Sequence, residues 1–549
     1  MQTRNGFMTA LVLIFLVVAS IMLLTLYQLV GNYRTNAIRM QVSSQLGIDV
    51  LNLLNIGAGF MRSRSTGVLG FNIPYQTGLP SWYTDFKSKL SEEWKDFFEV
   101  YADNKSFLIA EITPGGSSAT ESQIHDELVE YLSNRKLSNV SIYAIKSKNP
   151  FSALVIAKAE REGKGVYAYA IVTSKLLNQY VYFTNSEKRS DGTTIYFHAN
   201  DLIDGPIRSH DYININNAGG KPTFTSPIEI LGIKDMNGNI VNPADYSNFA
   251  NLLGNPTYRL LTEADVAALD FNAIKNEYKN SIASLVRSYD EIRSQPLVLS
   301  GIKFNSDITI SFAHGQSVSN YDIKISQGNT DYIISWNPSS PDARIRKQGG
   351  GPAEEFNIKF NGVVYATGDI TIDGPTELST YKGNYTLFSE NDIIIKDRLI
   401  PYDTFASQFT NNERGNNGDS VSKTKLPSIK DFVNTQETSS LNLVAINNVR
   451  VGKKLTNMKI FASLFAFDGS FTVDGYNTGR SSKQLFVFGS IMQNYRGPVG
   501  TFDPRTGRTI TGYYKIYAYD PRIMTGAYQP YGTPARSQTV SVKVVGIVK

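Results

Sequence analysis

Three side chains that could act as acids, bases or activators of a nucleophile lie close together in the segment DLIDGPIRSHD. They are Asp201, Asp204 and His210. Carboxylates of this kind are the groups that a polysaccharide-cleaving enzyme places around a glycosidic bond. The Gly-Pro pair after Asp204 is also typical of a turn, in which aspartate bonds its own backbone and proline fixes φ. We favour the turn and keep catalysis as the alternative.

A second candidate site is the loop DMNGN, which begins at Asp235 and includes Asn237 and Asn239. An EF-hand calcium loop also requires glycine at its sixth position and glutamate at its twelfth. Ile240 and Tyr246 stand at those positions instead. Because Asn-Gly is the strongest short-range hairpin signal, we predict a β-hairpin here. A calcium site with other ligands stays open.

The basic C-terminal region is the most informative feature. Residues 441–549 hold fourteen lysines and arginines against four acids, a net charge of +10, while the rest of the chain carries −5. Tyrosines are interleaved with these bases, which suits phosphate neutralisation and the stacking of rings on unpaired nucleobases. We predict a polyanion site, with DNA as the first ligand, at the turns that contain glycine and proline. The side chains expected to carry it are Arg496, Arg505, Arg508, Lys515 and Arg522. The alternative is an ordinary basic surface with tyrosines in a β core.

Composition and motifs exclude several classes of chemistry. The chain has no cysteine, which excludes disulfide scaffolds, iron–sulfur clusters and thiol catalysis. Its four histidines are too far apart in sequence for a local HExxH metal motif, and neither a GxxxxGK[ST] nor a GxSxG motif occurs. We therefore predict a non-enzymatic protein without a cofactor or metal. The alternative is a membrane-anchored carbohydrate-active enzyme on a β-solenoid.

The elements that position these residues begin with an apolar segment. Residues 7–30 contain no charge, and as a helix these 24 residues would measure about 36 Å, enough to cross ~30 Å of hydrocarbon. We expect this helix to remain in the lipid bilayer and to continue to about residue 60. Two amphipathic helices and alternating strands follow up to residue 191.

Short β segments recur from residue 192 onward. Ile370 and Ile393 are offset by 23 residues, and Leu443, Leu464 and Leu485 by 21. Such offsets predict the rungs of a β-solenoid, although unrelated hairpins would alternate in the same way. We expect a helix at 262–294, with Thr262 as its N-cap, and a polar exposed loop at 401–440.

The N-terminus, MQTRNG-FMTALVLIFL, resembles that of type IV prepilins: a short basic leader ends at Gly6 and Phe7 opens an apolar helix. The resemblance implies that a prepilin peptidase cuts between Gly6 and Phe7. The family usually has glutamate at the fifth mature position, where this chain has Leu11. In lacking this glutamate the chain resembles the minor pilins found at filament tips. The alternative is a plain signal anchor.

Three further segments, 201–224, 362–374 and 461–523, resemble a domain that occurs behind prepilin-like N-termini. They are similar to competence pilins that carry a β-solenoid on a small pilin domain, and to PilX-type prepilin accessory proteins. The implied partners are other pilin subunits, the membrane assembly machinery, the prepilin peptidase, and DNA or a surface polyanion. The resemblance also implies a single-pass inner-membrane protein whose bulk is extracytoplasmic, on a pilus or cell surface after assembly.

The fold class that we predict is α+β: a long N-terminal transmembrane helix with a pilin-like antiparallel sheet, followed by a mainly β, solenoid-like domain with a helical insertion. The predicted boundaries are a leader at 1–6, the long helix at 7–60, a pilin-like domain at 61–191, a solenoid-like domain at 192–400, the loop at 401–440 and a basic β region at 441–549. The function expected is that of a minor pilin with DNA binding or surface adhesion.

Overall fold

The computed structural model describes residues 43–548, with gaps at 64, 67–69, 72, 91, 93–94, 96–101, 114–115, 120–121, 148–151, 162–163, 254–257, 268–270, 315–320, 338–339, 410–419, 526–529 and 531. The predicted membrane helix at 7–30 and the processing site at Gly6 and Phe7 lie outside these residues. The chain forms two compact units, divided between Leu176 and Leu177 and again between Pro534 and Ala535. We call the unit formed by residues up to 176 and from 535 onward the sheet unit, and residues 177–534 the solenoid unit.

The predicted α+β class is wrong, because strand outweighs helix among the described residues, 47% against 21%, and this part of the chain is mainly β. No helix in the described part of the chain is long and apolar enough to cross a membrane. The segment predicted as one helix at 262–294 illustrates the difference. It contains a strand, Val286–Ser288, because that stretch pairs in parallel with Ser300–Phe304.

The helices of the described residues have between 4 and 21 residues. In chain order they are α1 (Ser43–Ser63), α2 (Tyr83–Ser88), α3 (Ser122–Arg135), α4 (Tyr246–Phe249), α5 (Glu263–Ala267), α6 (Phe271–Ala283), α7 (Tyr289–Ser294), α8 (Tyr402–Gln408), α9 (Leu426–Thr435) and α10 (Pro521–Thr525).

The described strands before residue 300 are β1 (Ser65–Thr66), β2 (Gly70–Phe71), β3 (Gln76–Thr77), β4 (Ala102–Thr113), β5 (Gly116–Ala119), β6 (Asn139–Ser147), β7 (Ser152–Arg161), β8 (Lys164–Leu176), β9 (Tyr182–Ser186), β10 (Leu202–Asp204), β11 (Ile207–Ser209), β12 (Tyr212–Asn214), β13 (Thr223–Phe224), β14 (Ile228–Ile230), β15 (Gly232–Lys234), β16 (Asn251–Leu252), β17 (Tyr258–Leu260) and β18 (Val286–Ser288).

The remaining strands are β19 (Ser300–Phe304), β20 (Ile308–His314), β21 (Tyr321–Gln327), β22 (Thr330–Trp336), β23 (Asp342–Gln348), β24 (Glu354–Ala366), β25 (Ile370–Ile372), β26 (Leu378–Tyr381), β27 (Asn384–Ser389), β28 (Ile393–Ile395), β29 (Arg398–Pro401), β30 (Ser440–Ala445), β31 (Val449–Val451), β32 (Met458–Ala466), β33 (Phe471–Val473), β34 (Ser481–Tyr495), β35 (Gly500–Phe502), β36 (Thr509–Tyr519) and β37 (Ala535–Val548).

The sheet unit is an antiparallel sheet, in the order β3-β4-β6-β7-β8-β37, with α1 packed on one face. Val50, Leu53 and Leu54 of α1 are fully buried against the sheet. Gly57 is required for this approach, since a Cβ there would lie 2.5 Å from Ile142 Cγ2. Pairing of Leu176 with Ala535 sets both ends of the solenoid insertion on neighbouring strands.

The solenoid unit stacks parallel strands in register. Ile370 pairs with Ile393 in the parallel pairing of β25 and β28, so the offset of 23 residues seen in the sequence is the spacing of two neighbouring rungs. Ile393 in turn pairs with Val449. Leu443 likewise pairs with Leu464. The next predicted offset of 21 is wrong: Leu464 pairs with Ile491, because the intervening rung contains a longer turn before β34.

The chain enters this stack in its middle. Strand β9 lies between β34 and β11, and β10 lies between β36 and β13, so the first rungs rest directly on the last ones. The solenoid therefore includes Tyr182–Ser186, whereas the sequence placed its start at residue 192. The region predicted as one basic unit, 441–549, is also divided, since β37 belongs to the sheet unit.

Helix α6 carries the chain back along the stack. Its 13 residues measure about 20 Å, which is close to four strand spacings of ~4.8 Å. Phe271 packs on Phe183 of the first rung, and Tyr278 packs between Phe388 and Phe467. Lys275 forms an ion pair with Asp468 at 2.8 Å. The helix therefore bridges rungs that are distant in sequence.

The segment predicted as a polar loop at 401–440 contains two helices, α8 and α9. Leu426, Ile429 and Val433 form a buried stripe on α9, at the spacing of one helix face. Phe409 and Val421 are buried in the same cluster. The polar residues around them hid this amphipathic pattern in the sequence.

Candidate functional site

Strands β35 and β36 form an antiparallel hairpin in which Gly500 pairs with Gly512, Thr501 with Thr511 and Phe502 with Thr509. Its turn is closed by backbone hydrogen bonds from Asp503 N to Arg508 O, at 2.9 Å, and from Gly507 N to Asp503 O, at 2.8 Å. Gly507 has φ of +65°, a conformation that favours glycine. The DPRTG sequence thus folds as a tight turn at the end of the hairpin.

Neighbouring rungs hold this turn in place. Asn216 Nδ2 donates to Pro504 O at 2.9 Å, and Asn200 Nδ2 donates to Gly507 O at 3.5 Å. Gly219 lies so close that a Cβ there would be 2.0 Å from the carbonyl of Thr506. These contacts fix the backbone that carries Arg505 and Arg508, so their side chains project from a defined base.

Four bases are exposed on this part of the solenoid. Arg505 and Arg508 lie in the turn, and Arg480 and Lys483 lie where β34 begins. None of them forms an ion pair with a described residue. Ser481, which lies between Arg480 and Lys483, pairs with Gly512 of β36. Arg508 precedes Gly512 by four residues, about 13 Å of extended chain, so the four bases lie on one part of the surface. We call these four residues the basic hairpin surface.

One acid lies within this patch. The backbone N–H of Arg505 donates to Asp503 Oδ1 at 2.9 Å. Hydrogen bonds from the Arg505 backbone and from Thr506 lower the pKa of Asp503 below its usual value, so it is ionised at neutral pH. The carboxylate is turned toward the backbone of the turn, and the patch keeps a net positive charge.

The other three predicted site residues are buried, and for them the prediction of an accessible polyanion contact is wrong. Arg496 Nη1 donates to Glu187 Oε2 at 2.7 Å, and its guanidinium lies 3.8 Å from the centre of the Phe197 ring. Arg522 Nη2 donates to Asp520 Oδ2 at 2.7 Å, and only 3% of the residue is exposed. These charges are already neutralised inside the fold, where no polyanion reaches them.

Lys515 is the third of these, and its partner is Asp201. Lys515 Nζ donates to Asp201 Oδ2 at 2.7 Å and its backbone N–H donates to Oδ1 at 3.0 Å. Burial alone would raise the pKa of Asp201, but His198 and Lys515 hold it below its usual value. Asp201 is therefore an ionised structural partner of Lys515.

The other groups of the DLIDGPIRSHD segment are also engaged in the fold. Asp204 accepts a hydrogen bond from Thr225 at 2.6 Å and an ion pair from Lys430 at 2.7 Å. His210 Nε2 accepts from Arg208 Nε at 3.0 Å, while Nδ1 faces Asn185 Oδ1 at 3.2 Å. Burial, reinforced by the Arg208 charge, lowers the pKa of His210 to about 3. The two carboxylates and the histidine thus do not form a catalytic set.

The DMNGN loop forms the expected turn. Asp235 Oδ1 accepts from the backbone N–H of Asn237 at 2.9 Å and of Asn239 at 2.8 Å. The described residues contain no group of three acidic, histidine or cysteine side chains that could hold a metal ion.

Three tyrosines of the basic region lie in the core. Tyr513, Tyr517 and Tyr519 are at most 6% exposed. Tyr513 donates its hydroxyl to Leu455 O at 2.8 Å, and burial raises its pKa. These three rings are unavailable for stacking on nucleobases.

Arg480 and Lys483 are the site residues that the sequence did not single out. The signal that could have found them is local: GRSSK precedes a long apolar strand and follows a turn rich in glycine, and such positions tend to be exposed.

Comparisons with known proteins show a distant likeness among solved structures. No family model matches the chain, and no curated protein matches it. Among solved structures it is similar to the competence-associated pilin ComZ from Thermus thermophilus, with 10% identity, 93% of this chain and 98% of that chain covered, and a TM-score of 0.30. This likeness is too low to indicate function, so we infer function from the residues alone.

Proposed function

We propose that the protein is a non-enzymatic, surface-displayed subunit whose solenoid unit binds polyanions, with DNA as the first ligand. The observation that carries this proposal is the basic hairpin surface, where four exposed bases lack an ion-pair partner among the described residues. Exposed lysine and arginine side chains bind phosphates and release counterions, which supplies affinity without base-specific contacts.

The rest of the basic region supports this location, because most of its other described charges are compensated. Arg450 forms ion pairs with Asp392 at 2.9 Å and with Asp474 at 2.8 Å. Lys453 forms one with Glu377 at 2.6 Å. The excess of bases in this region therefore acts outward mainly through the basic hairpin surface.

The chemistry favours recognition of the phosphate backbone. The three buried tyrosines contribute no ring to the basic hairpin surface, so we expect its bases to act on phosphates. Duplex DNA has a higher charge density than a single strand, so we expect duplex to bind more tightly at equal length. Sequence-independent binding follows from the same reasoning.

Matched single variants test this site. Arg508→Glu and Arg346→Glu each change the charge by −2, and both side chains are exposed without an ion pair to a described residue, but Arg346 lies on β23. Titration of the full-length chain with a short duplex at about 50 mM salt should show that Arg508→Glu weakens binding about tenfold or more. Arg346→Glu should bind as the wild type does. Equal loss in both variants would place binding in overall charge and remove the hairpin from consideration.

We further infer that this subunit belongs to a type IV pilus or related filament as a minor pilin. The support is the Gly6-Phe7 junction with Leu11 at the fifth mature position, together with a helix packed on an antiparallel sheet that carries the solenoid as an insertion. The partners would be other pilin subunits, the assembly machinery and a prepilin peptidase. Display outside the cytoplasmic membrane, toward a filament tip, would let the solenoid meet DNA.

Mass spectrometry of the native N-terminus tests the filament assignment independently of DNA binding. Cleavage after Gly6 with methylation of Phe7 is expected. An intact Met1, or cleavage at another position, would contradict processing as a pilin while leaving the polyanion site to its own test.

A further inference from the structure

One end of the solenoid stack leaves interior side chains uncovered. Ile228 and Ile230 of β14 face the interior and are at most 3% exposed. The next strand, β17, pairs Tyr258 with Ile228 and Leu260 with Ile230. Tyr258 and Leu260 continue the same interior columns, yet they are 43% and 44% exposed. They are exposed because no further rung of the described residues pairs beyond β17.

The backbone of this rung is open as well. Strands β16 and β17 pair with β13 and β14 on one side, and no described strand pairs with them on the other. Leu253, which directly follows β16, is 52% exposed. Solenoids normally end in a capping repeat with a polar outer face, and an uncapped apolar edge is a template for pairing with another strand. We call Leu253, Tyr258 and Leu260 the open end.

We propose that the open end docks against the open end of a second copy of this chain. In a two-fold antiparallel pairing of β17 centred on Arg259, Tyr258 of each copy lies opposite Leu260 of the other, so a large ring meets a smaller side chain in both halves. The strand edge is thus complementary to itself. The pairing extends the parallel stack across the dimer axis and covers both interior columns.

Charge does not oppose this contact. Arg259, at the centre of the strand, forms an ion pair with Asp265 of the same chain. Two copies therefore meet at a neutral edge, whereas an unpaired arginine at the axis would face its own like charge. Three side chains cover less than the ~800 Å² per partner of a standard interface, so the association is weak and reversible.

The absence of cysteine from the natural sequence allows a direct test, because any cross-link must come from an introduced residue. Arg259→Cys, made together with Asp265→Asn so that the edge stays neutral, places one thiol at the proposed two-fold axis, opposite its mate. Ile510→Cys, on β36 and 55% exposed, is the matched exposed control. Mild oxidation of the full-length chain, followed by a non-reducing gel, should give a disulfide-linked dimer for Arg259→Cys at least tenfold faster than for Ile510→Cys.

A second change distinguishes docking from collision. Leu260→Arg combined with Arg259→Cys buries unpaired charge in the proposed contact and should slow cross-linking to the rate of the control. Equal rates for Arg259→Cys and Ile510→Cys, or an unchanged rate after Leu260→Arg, would overturn the proposal. Sedimentation of the wild-type chain adds a measurement without mutation: a rise in mass with concentration is expected, and a monomer at every concentration would contradict docking between copies. None of these readouts depends on DNA binding.

Discussion

Individual charged residues in this protein have two different roles, and exposure separates them. Arg505 and Arg508 lie in a solvent-exposed turn, whereas Arg496, directly after β34, and Lys515, on β36, are buried with Glu187 and Asp201. Residue type and local charge singled out both pairs, and only the first is exposed as a polyanion contact requires. They misassigned the second, because its partners lie 309 and 314 residues earlier in the chain.

The Lys515–Asp201 pair should be important for stability. Lys515→Met removes the lysine charge from the buried Asp201 carboxylate and leaves His198 as its remaining side-chain partner, so we expect the free energy of unfolding of the solenoid unit to fall by about 3–5 kcal/mol. Arg505→Met, in the exposed turn, should change it by less than about 0.5 kcal/mol. Denaturant unfolding of both variants measures the difference. A loss of equal size in both would mean that Lys515 is not part of a buried pair.

His210 should make the fold sensitive to acid. Its pKa is lowered to about 3, against 6.5 for an ordinary histidine, because it is buried beside Arg208. Above pH 6.5 the ring is neutral in both states. As the pH falls from 6.5 toward 3, the unfolded chain takes up a proton that the folded chain refuses, so stability decreases by up to about 5 kcal/mol in total.

The measurement is the free energy of unfolding as a function of pH. Because His210→Gln removes this proton-binding group, stability should decrease less steeply between pH 6.5 and 4, by about one bound proton. The same slope in His210→Gln as in the wild type would show that other groups cause the acid sensitivity.

At the scale of elements, a constant spacing between solenoid rungs could be predicted from the sequence, and a variable spacing could not. The offset of 23 residues between Ile370 and Ile393 is the register of β25 and β28, since rungs of equal length repeat their apolar positions. Leu464 and Leu485 broke the rule because the turn between their rungs is longer. Helix α9 was missed because its three buried residues are separated by polar ones in a segment rich in asparagine and glycine.

The cluster around α9 gives a prediction opposite to that of an exposed loop. Phe409 is 7% exposed and packs at 6.0 Å from the Phe461 ring. Phe409→Ala should therefore destabilise the solenoid unit by about 3–5 kcal/mol. Lys423→Ala, an exposed neighbour in sequence, should be neutral in the same unfolding measurement. Retained stability in Phe409→Ala would show that the segment around α8 and α9 contributes nothing to the core.

At the scale of the whole molecule, the connection between distant parts of the chain determines what is displayed. The first strands of the solenoid, β9 and β10, stack on the last ones, β34 and β36. The asparagines that hold the basic turn lie just before β10 and just after β12. This closure could not be predicted from local patterns, because a solenoid read from the sequence alone is expected to coil in one direction from its first strand to its last.

The salt dependence of DNA binding tests the central claim most directly. Affinity of the full-length chain for a short duplex is measured across a range of salt concentrations, for the wild type and for Arg505→Glu combined with Arg508→Glu. If all four side chains of the basic hairpin surface contact phosphates, the logarithm of affinity should fall with the logarithm of salt at a slope of about 3.6, and the double variant should lower that slope by about 1.8. An absence of binding at 50 mM salt, or an unchanged slope in the double variant, would contradict the assignment of this surface as a polyanion site.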